Sequence, residues 1–186
     1  MKRIFDLLLA ILAGTALLVP VLLVAILVRL SSKGPVLYWS ARVGRGNVIF
    51  QMPKFRSMQT GTPALATHLL SDPLSYLTPI GSVLRKSSLD ELPQLWSIIK
   101  GDMSFVGPRP ALFNQHDLIE LRTQHGVHEL LPGLTGWAQV NGRDELPIQQ
   151  KVALDVVYLR QRYFWLDLKI IGLTIWRVAR SDNVTH

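Results

Sequence analysis

Two adjacent carboxylates, Asp90 and Glu91, have the most distinctive chemical setting in the sequence. They follow Ser88 and begin a run with helical apolar periodicity, so Asp90 is expected in a first helical turn. Unpaired N–H groups and the positive end of a helix keep a carboxylate ionised there. An ionised carboxylate can attack phosphorus to form an acyl phosphate, and two adjacent acids can share a divalent cation that draws in a diphosphate. The pair therefore predicts chemistry on a phosphorylated substrate.

The same residues also match a purely structural pattern. Ser88-x-x-Glu91 is a capping box, in which the Glu91 side chain would bond back to the backbone N–H of Ser88. Because this pattern is common, the pattern taken by itself favours a capping role for Glu91. It would not involve the side chain of Asp90, which stays available for chemistry.

Basic residues could add a phosphate-binding site to this pair. Arg109 lies between two prolines, whose rings hold the chain extended, so its guanidinium would lose little entropy on binding. Arginine is suited to bidentate phosphate recognition. Four further basic residues could join the site, although each of them alone is more often a solvated surface charge: Lys54, Arg56, Arg85 and Arg143.

Composition excludes several classes of protein. The 186 residues include no cysteine, which rules out a disulfide scaffold, a thiolate metal site and a Cys nucleophile. A net charge of +7 favours an anionic partner, and an apolar content of 48% adds the expectation of a membrane surface. The chain contains no HExxH, Walker A, GxGxxG or GxSxG motif, which argues against a zinc site, a nucleoside triphosphatase, a dinucleotide enzyme and an α/β-hydrolase.

An uncharged run at residues 7–28 is long enough to cross a bilayer as a straight helix. Pro20 in its middle removes one backbone hydrogen bond and predicts a kink. A cleaved signal peptide fits poorly, because the run is too long and no cleavage site follows it. Positive residues mark the cytoplasmic side of a membrane and flank both ends of the run, which leaves a spanning and a re-entrant helix open: Lys2, Arg3, Arg29 and Lys33.

The remaining sequence predicts an α+β fold that is mostly helical. Residues 36–40 and 47–52 read as the strands of a short β-hairpin, and 137–140 as an extended piece. Residues 163–180 form an amphipathic pattern with Trp165 and Trp176 at its ends, which favours either core packing or a helix in the headgroup plane. Further helices are expected at 79–86, 92–100, 111–125 and 148–162.

Four long motifs follow one another in the chain: Lys-Phe-Arg-Ser-Met at 54–58, Ser-Leu-Asp-Glu-Leu-Pro-Gln-Leu at 88–95, Gly-Asp-Met-Ser-Phe-Val-Gly-Pro-Arg-Pro at 101–110 and Pro-Gly-Leu-Thr-Gly-Trp-Ala-Gln-Val-Asn-Gly-Arg at 132–143. In this order they resemble the bacterial sugar transferase family, the monotopic polyprenyl-phosphate phosphoglycosyl transferases. The opening Lys-Arg-Ile-Phe-Asp and the Leu-Asp-Leu-Lys-Ile at 166–170 fit the same family. The resemblance covers nearly the whole chain and is closest to the small members.

The resemblance implies transfer of a sugar-1-phosphate from a UDP-sugar to undecaprenyl phosphate with release of UMP, at the start of bacterial glycan assembly (glycoprotein, O-antigen, capsule or exopolysaccharide). It implies a ping-pong mechanism with an aspartyl phosphosugar intermediate on Asp90 and with Glu91 as the acidic partner. Mg²⁺ is the implied cofactor, with Asp90, Glu91 and Asp102 as ligands. The implied substrate-binding residues are Lys54, Arg56, Arg85, Arg109, Gln139, Asn141 and Arg143.

The resemblance also implies two parts on the cytoplasmic face of the bacterial inner membrane. Residues 1–33 would form a re-entrant membrane helix and linker, and residues 34–186 a compact cytoplasmic catalytic domain with interfacial amphipathic helices. The phospholipid membrane is then a partner, and a homodimer is left open. Val19 precedes Pro20 where family members often have Ser, whose hydroxyl can take up a freed backbone carbonyl. The sequence does not specify the sugar.

Two other classes of function compete with this one. A non-catalytic peripheral protein would bind anionic lipid through its basic residues, but such adhesion needs no acidic pair flanked by arginine. A nucleic-acid binder would need a basic stripe with interleaved aromatic residues. The basic residues here are grouped with acids, so nucleic acid is not an expected partner.

Overall fold

The computed structural model describes residues 2–63, 65, 72–142 and 146–180. It is mostly helical with two small pairs of strands, which confirms the predicted α+β class. In chain order the elements are α1 (Lys2–Ala16), α2 (Leu18–Ser31), β1 (Leu37–Val43), β2 (Ile49–Phe55), α3 (Gly81–Lys86), α4 (Leu95–Lys100), β3 (Ser104–Val106), α5 (His116–Gln124), β4 (Gly133–Thr135), α6 (Ile148–Gln161) and α7 (Phe164–Arg180).

Strands β1 and β2 form the predicted hairpin, with antiparallel register from Leu37↔Phe55 to Val43↔Ile49. Both strands are longer than the sequence pattern predicts. The turn between them includes Gly46 and Asn47 at positive φ, the two residue types that adopt this conformation most readily. Lys54 lies near the end of β2, opposite Tyr38. The hairpin therefore fixes one of the predicted site residues on a rigid element.

A second, parallel pair of strands joins β3 to β4. The sequence predicts no strand here, because each strand has only three residues, which is too short for an alternation of apolar and polar residues to be recognised. Gly133 of β4 lies so close to the residue after β3 that a Cβ at this position would overlap the backbone nitrogen of Gly107. The extended piece predicted at 137–140 is wrong: the strand is Gly133–Thr135, and Gln139–Asn141 is a 3₁₀ turn.

Helices α1 and α2 meet at Leu17 with a bend of 62°. Pro20 has no N–H to donate to the carbonyl of Ala16, and its ring crowds that carbonyl, so the helix breaks there. The bonds on either side persist, from Leu17 N to Ala13 O at 2.8 Å and from Val21 N to Leu17 O at 2.9 Å. The predicted kink is thus confirmed, with Val19 before the proline. Within the described residues no single helix could cross a membrane, and α1 and α2 pass that test only as a bent pair.

The two bent helices expose an extensive apolar surface. Such a surface marks the binding of a membrane or of another protein. Trp165, Ile175 and Trp176 of α7 are exposed as well, whereas Leu166 and Ile170 of the same helix are buried in the core. On α1 and α2, eleven large apolar side chains are each more than half exposed: Ile4, Leu8, Ile11, Leu12, Leu18, Val19, Leu22, Leu23, Ile26, Leu27 and Leu30.

Polar side chains at the start of α1 attach it to the rest of the fold. The buried carboxylate of Asp6 accepts hydrogen bonds from Ser104 Oγ at 2.8 Å and Phe105 N at 3.2 Å, both in β3. The Arg3 guanidinium donates to the carbonyl oxygens of Ile98 and Ile99 at the end of α4. Hydrogen bonds are directional, so these contacts restrict the orientation of α1 as well as its position. The start of α1 is therefore fixed against β3 and α4.

Candidate active site

Asp90 and Glu91 lie on a 3₁₀ helix, Leu89–Gln94, between α3 and α4. The leucines on either side of the two acids, Leu89 and Leu92, pack in the apolar cluster formed with α2, and Asp90 is only 6% exposed. The capping box predicted for Glu91 is wrong. The N–H of Ser88 already donates to the carbonyl of Arg85 at 3.1 Å, and Ser88 makes no side-chain cap bond. The Glu91 carboxylate therefore has other partners.

Glu91 Oε1 joins two cations from different parts of the chain. Lys54 Nζ of β2 donates to it at 2.7 Å, and Arg109 Nη2 donates to it at 3.0 Å. Charge-assisted bonds of this kind are stronger than neutral ones, and the Glu91 side chain is largely buried. One carboxylate oxygen thus fixes the relative positions of the hairpin, the 3₁₀ helix and the loop that carries Arg109.

Asp90 lies beside this ion cluster. Its Oδ2 is 3.8 Å from Lys54 Nζ. Burial raises the pKa of Asp90 above its ordinary value, the neighbouring Glu91 carboxylate raises it further, and the nearby cations, Lys54 foremost, offset only part of this rise. Burial would also raise the pKa of Glu91, but Arg109 and Lys54 outweigh it and hold that pKa well below its usual range.

The two acids are therefore separated in chemical role by their surroundings. Glu91 stays ionised and holds the cations, whereas Asp90 is the more basic carboxylate of the pair. Separation of pKa values within a pair of titratable groups is a common mark of distinct catalytic roles. An ionised Asp90 next to Lys54, Arg85 and Arg109 can act as a nucleophile toward a negatively charged phosphoryl group.

The structure does not bring Arg56 to this cluster. Its guanidinium donates to the carbonyl oxygens of Ser32, Lys33 and Pro35, and the residue is 5% exposed. These carbonyls follow the end of α2, so Arg56 connects that helix end to the segment after β2. We assign Arg56 this structural role, outside the cluster of Asp90, Glu91, Lys54 and Arg109.

The other predicted site residues have separate surroundings. Asp102 pairs with Lys100 at 2.9 Å. Gln139 donates from Nε2 to the carbonyl of Leu134 at 3.0 Å, while its buried Oε1 has no hydrogen-bond partner. The exposed Asn141 donates from Nδ2 to the carbonyl of Trp137 at 2.7 Å. Arg143 lies outside the described residues.

The carboxylates of the cluster suit one type of metal ion. Among the residues that the structure describes, no group of three or more His, Asp or Glu side chains could hold a metal, so Asp102 does not join Asp90 and Glu91. Mg²⁺ is commonly bound by one or two carboxylates together with substrate phosphates and water. Asp90 and Glu91 fit this requirement, and the three-carboxylate set does not.

Sequence reasoning misses Arg122 and Asp155. Arg122 of α5 is buried, and it contacts both Asp155 of α6 and the backbone of Arg109. The available signal is helical spacing, because Arg122 follows the buried Leu118 by four residues and therefore lies on the inner face of α5.

Comparison with known proteins gives a consistent result. A family model described as "Bacterial sugar transferase" matches residues 1–181. The uncharacterized sugar transferase EpsL of Bacillus subtilis is 41% identical over 186 residues, which cover 99% of this chain and 90% of that protein.

Two larger relatives are named for a reaction. The undecaprenyl-phosphate glucose phosphotransferase of Komagataeibacter xylinus is 42% identical, with 98% of this chain and 36% of that protein covered. The UDP-glucose:undecaprenyl-phosphate glucose-1-phosphate transferase of Xanthomonas campestris pv. campestris is 40% identical, with 95% and 38% covered. The chain thus spans just over a third of these two proteins.

The pKa of Asp90 gives a direct test of the site's electrostatics. We expect the carboxyl of Asp90 to titrate above its ordinary value of 3.8. In Lys54→Met it should titrate higher still, because a cation that favours the ionised form is lost. The measurement is a ¹³C NMR titration of protein labelled at aspartate carboxyl carbons, with the Asp90 signal assigned by Asp90→Asn.

Lys100→Met is the matched control, because Lys100 is exposed and pairs with Asp102. It should leave the Asp90 titration unchanged. An Asp90 carboxyl that titrates at or below 3.8, or that does not respond to Lys54→Met, contradicts this description.

Proposed function

The chain belongs to the bacterial sugar transferase family, and from this premise we propose that it transfers a sugar-1-phosphate from a UDP-sugar to undecaprenyl phosphate, with release of UMP. The relatives named above for this reaction act on glucose, so UDP-glucose is the first donor to test. The observation that carries the proposal is the buried Asp90 beside Glu91, surrounded by Lys54, Arg85 and Arg109. A protein that only adheres to anionic lipid needs no such buried acid.

In the first step of the proposed mechanism, a carboxylate oxygen of Asp90 bonds to the phosphorus that carries the sugar. The P–O bond between the two phosphoryl groups breaks, and its electron pair leaves with UMP. The product on the protein is an acyl phosphate that bears the sugar. Lys54 and Arg109 would stabilise the charge that develops on the departing phosphate, because they are already held in place by Glu91.

In the second step, a phosphate oxygen of undecaprenyl phosphate bonds to the same phosphorus. The acyl phosphate bond breaks and the carboxylate of Asp90 is restored, so the protein ends the cycle unchanged. Two displacements at one carboxylate divide a difficult transfer into two easier ones. The same cations would serve both steps, since each involves a phosphate at the same position.

Asp90 and Glu91 are the residues that would hold Mg²⁺, which supplies charge neutralisation on the diphosphate when it is bound. Glu91 also orients Lys54 and Arg109, and we propose this as its main role. Asp102 is not included, because among the described residues no three acidic or histidine side chains lie close enough together to hold a metal ion.

We further propose that α1 and α2 form a re-entrant segment that enters and leaves the membrane by its cytoplasmic face. Support comes from the bend of 62°, the apolar exposed surface and the positive flanks at both ends. Residues 1–33 would then be the membrane part and 34–186 the catalytic part. Undecaprenyl phosphate keeps its tail in the bilayer and its head at the surface, so a site held at that depth can reach it.

The reaction is tested by UMP release from a panel of UDP-glucose, UDP-galactose and UDP-N-acetylgalactosamine with undecaprenyl phosphate and Mg²⁺. We expect release with at least one donor. Asp90→Asn should lower the rate by at least about 100-fold, because the amide cannot form the acyl phosphate. Asp117→Asn, an exposed acid at the start of α5, is the matched control and should keep the parent rate.

An inactive parent would favour the alternative of a non-catalytic lipid-binding protein. Activity retained in Asp90→Asn at more than a few per cent of the parent would keep the reaction but remove Asp90 as the nucleophile. The sugar specificity follows from the donor that gives the highest kcat/KM.

Membrane topology is tested with single cysteines, which label uniquely because the chain has none of its own. One variant has a cysteine inserted after Met1, and the other is Lys33→Cys. We expect an impermeant maleimide to label both in inverted vesicles and neither in intact spheroplasts. Labelling of either site from the outer face would contradict the re-entrant proposal, and detergent-solubilised protein serves as the positive control.

A further inference from the structure

The segment that carries Arg109, residues 108–111, accepts a hydrogen bond at each of its four carbonyl oxygens. Two of these residues are prolines and have no N–H to donate, so contacts to the carbonyls are the main way to fix the backbone. The donors come from three different elements: Gly133 N to Pro108 O at 2.9 Å, Arg122 Nη1 to Arg109 O at 2.8 Å, Arg42 Nη1 to Pro110 O at 3.0 Å and Val43 N to Ala111 O at 2.9 Å.

Arg122 is the one helical donor among these, and its side chain is itself held in place by an ion pair. Its Nε and Nη2 donate to Asp155 Oδ2 at 3.0 and 2.7 Å, and its Nη1 donates to the Arg109 carbonyl. Arg122 is 7% exposed and Asp155 is 1% exposed. The planar guanidinium is therefore held by α6 on one edge and presents its other edge to the Arg109 backbone.

The hydrogen bond from Arg122 is made to the backbone carbonyl of Arg109, which helps to set the direction of the Arg109 side chain. The carbonyl of Arg109 belongs to the peptide plane that leads into Pro110, and a residue before proline is already restricted to extended backbone. With that plane fixed, the side chain leaves the backbone in one direction and reaches Glu91 Oε1 at 3.0 Å. A displacement of about 1 Å at a phosphate-binding group can cost as much as about 100-fold in rate.

We infer that Arg122, held by Asp155, is a positioning residue that fixes the backbone of Arg109 and keeps its guanidinium on Glu91, where a nucleoside diphosphate would bind. Arg122 touches no reacting atom, and neither does Asp155. The inference rests on the proposed function, in which Arg109 stabilises the departing phosphate. It connects helices α5 and α6, which have no other part in that function, to the active site.

Arg122→Lys separates this role from simple stability. A lysine keeps a positive charge beside the buried Asp155, but a single ammonium group cannot reproduce the fork that joins Asp155 to the Arg109 carbonyl. We expect kcat/KM for the donor selected by the panel to fall about tenfold or more, with a melting temperature within a few degrees of the parent. Gln124→Ala, an exposed residue of the same helix, is the matched control and should change neither quantity.

A double-mutant cycle with Arg109→Met shows whether Arg122 acts through Arg109. In the Arg109→Met background, Arg122→Lys should change kcat/KM by less than about twofold, because the cationic group that it positions has been removed. Each single variant should also alter the same kinetic parameter, KM or kcat. A merely structural role would give the full loss in both backgrounds.

A second variant covers the case in which Arg122→Lys does not fold. Arg122→Met combined with Asp155→Leu removes both partners of the ion pair and leaves no unpaired buried charge. It should show the same loss in kcat/KM and the same dependence on Arg109. Parent-like kcat/KM in either Arg122 variant, or additive losses in the cycle, overturns the inference. A parent without UMP release fails the proposed function instead, so the two failures are distinguishable.

Discussion

One carboxylate oxygen, Glu91 Oε1, holds the candidate site together. Lys54 from the hairpin and Arg109 from the loop after β3 both donate to it, so three distant parts of the chain meet at this atom. Loss of the carboxylate would leave two cations facing each other in a largely buried place, which is costly. The same bonds give Asp90 its character, because they keep Glu91 ionised and leave the more basic acid beside the cations.

The same two elements, β3 and α4, contact the start of the apolar helix α1 and adjoin the candidate site. Asp6 and Arg3 at the start of α1 bond to β3 and to the end of α4. β3 leads into the segment that carries Arg109, and α4 follows directly from the 3₁₀ helix with the two acids. Any surface that binds α1 and α2 thus has a fixed relation to the site. In the proposed function, this relation sets the depth at which Asp90 meets a lipid phosphate.

Local patterns predict much of this fold, and long-range contacts account for the rest. The hairpin, the break near Pro20 and α7 follow from alternation, proline chemistry and helical spacing within short windows. The parallel pair of β3 and β4 does not, because strands of three residues are too short to show a recognisable alternation. The pattern Ser88-x-x-Glu91 misleads because long-range contacts override it. It indicates a cap, but the actual partners of Glu91 lie 37 and 18 positions away in the chain.

The proposed mechanism requires that the side chain of Asp90 bonds to phosphorus. Incubation of the protein with the selected UDP-sugar and Mg²⁺ in the absence of undecaprenyl phosphate, followed by peptide mass spectrometry, detects such a bond. We expect a sugar phosphate on the peptide that contains Asp90, located at that residue by fragmentation and absent from Asp90→Asn. A sugar phosphate on any other residue, or turnover without a covalent adduct, would exclude Asp90 as the nucleophile.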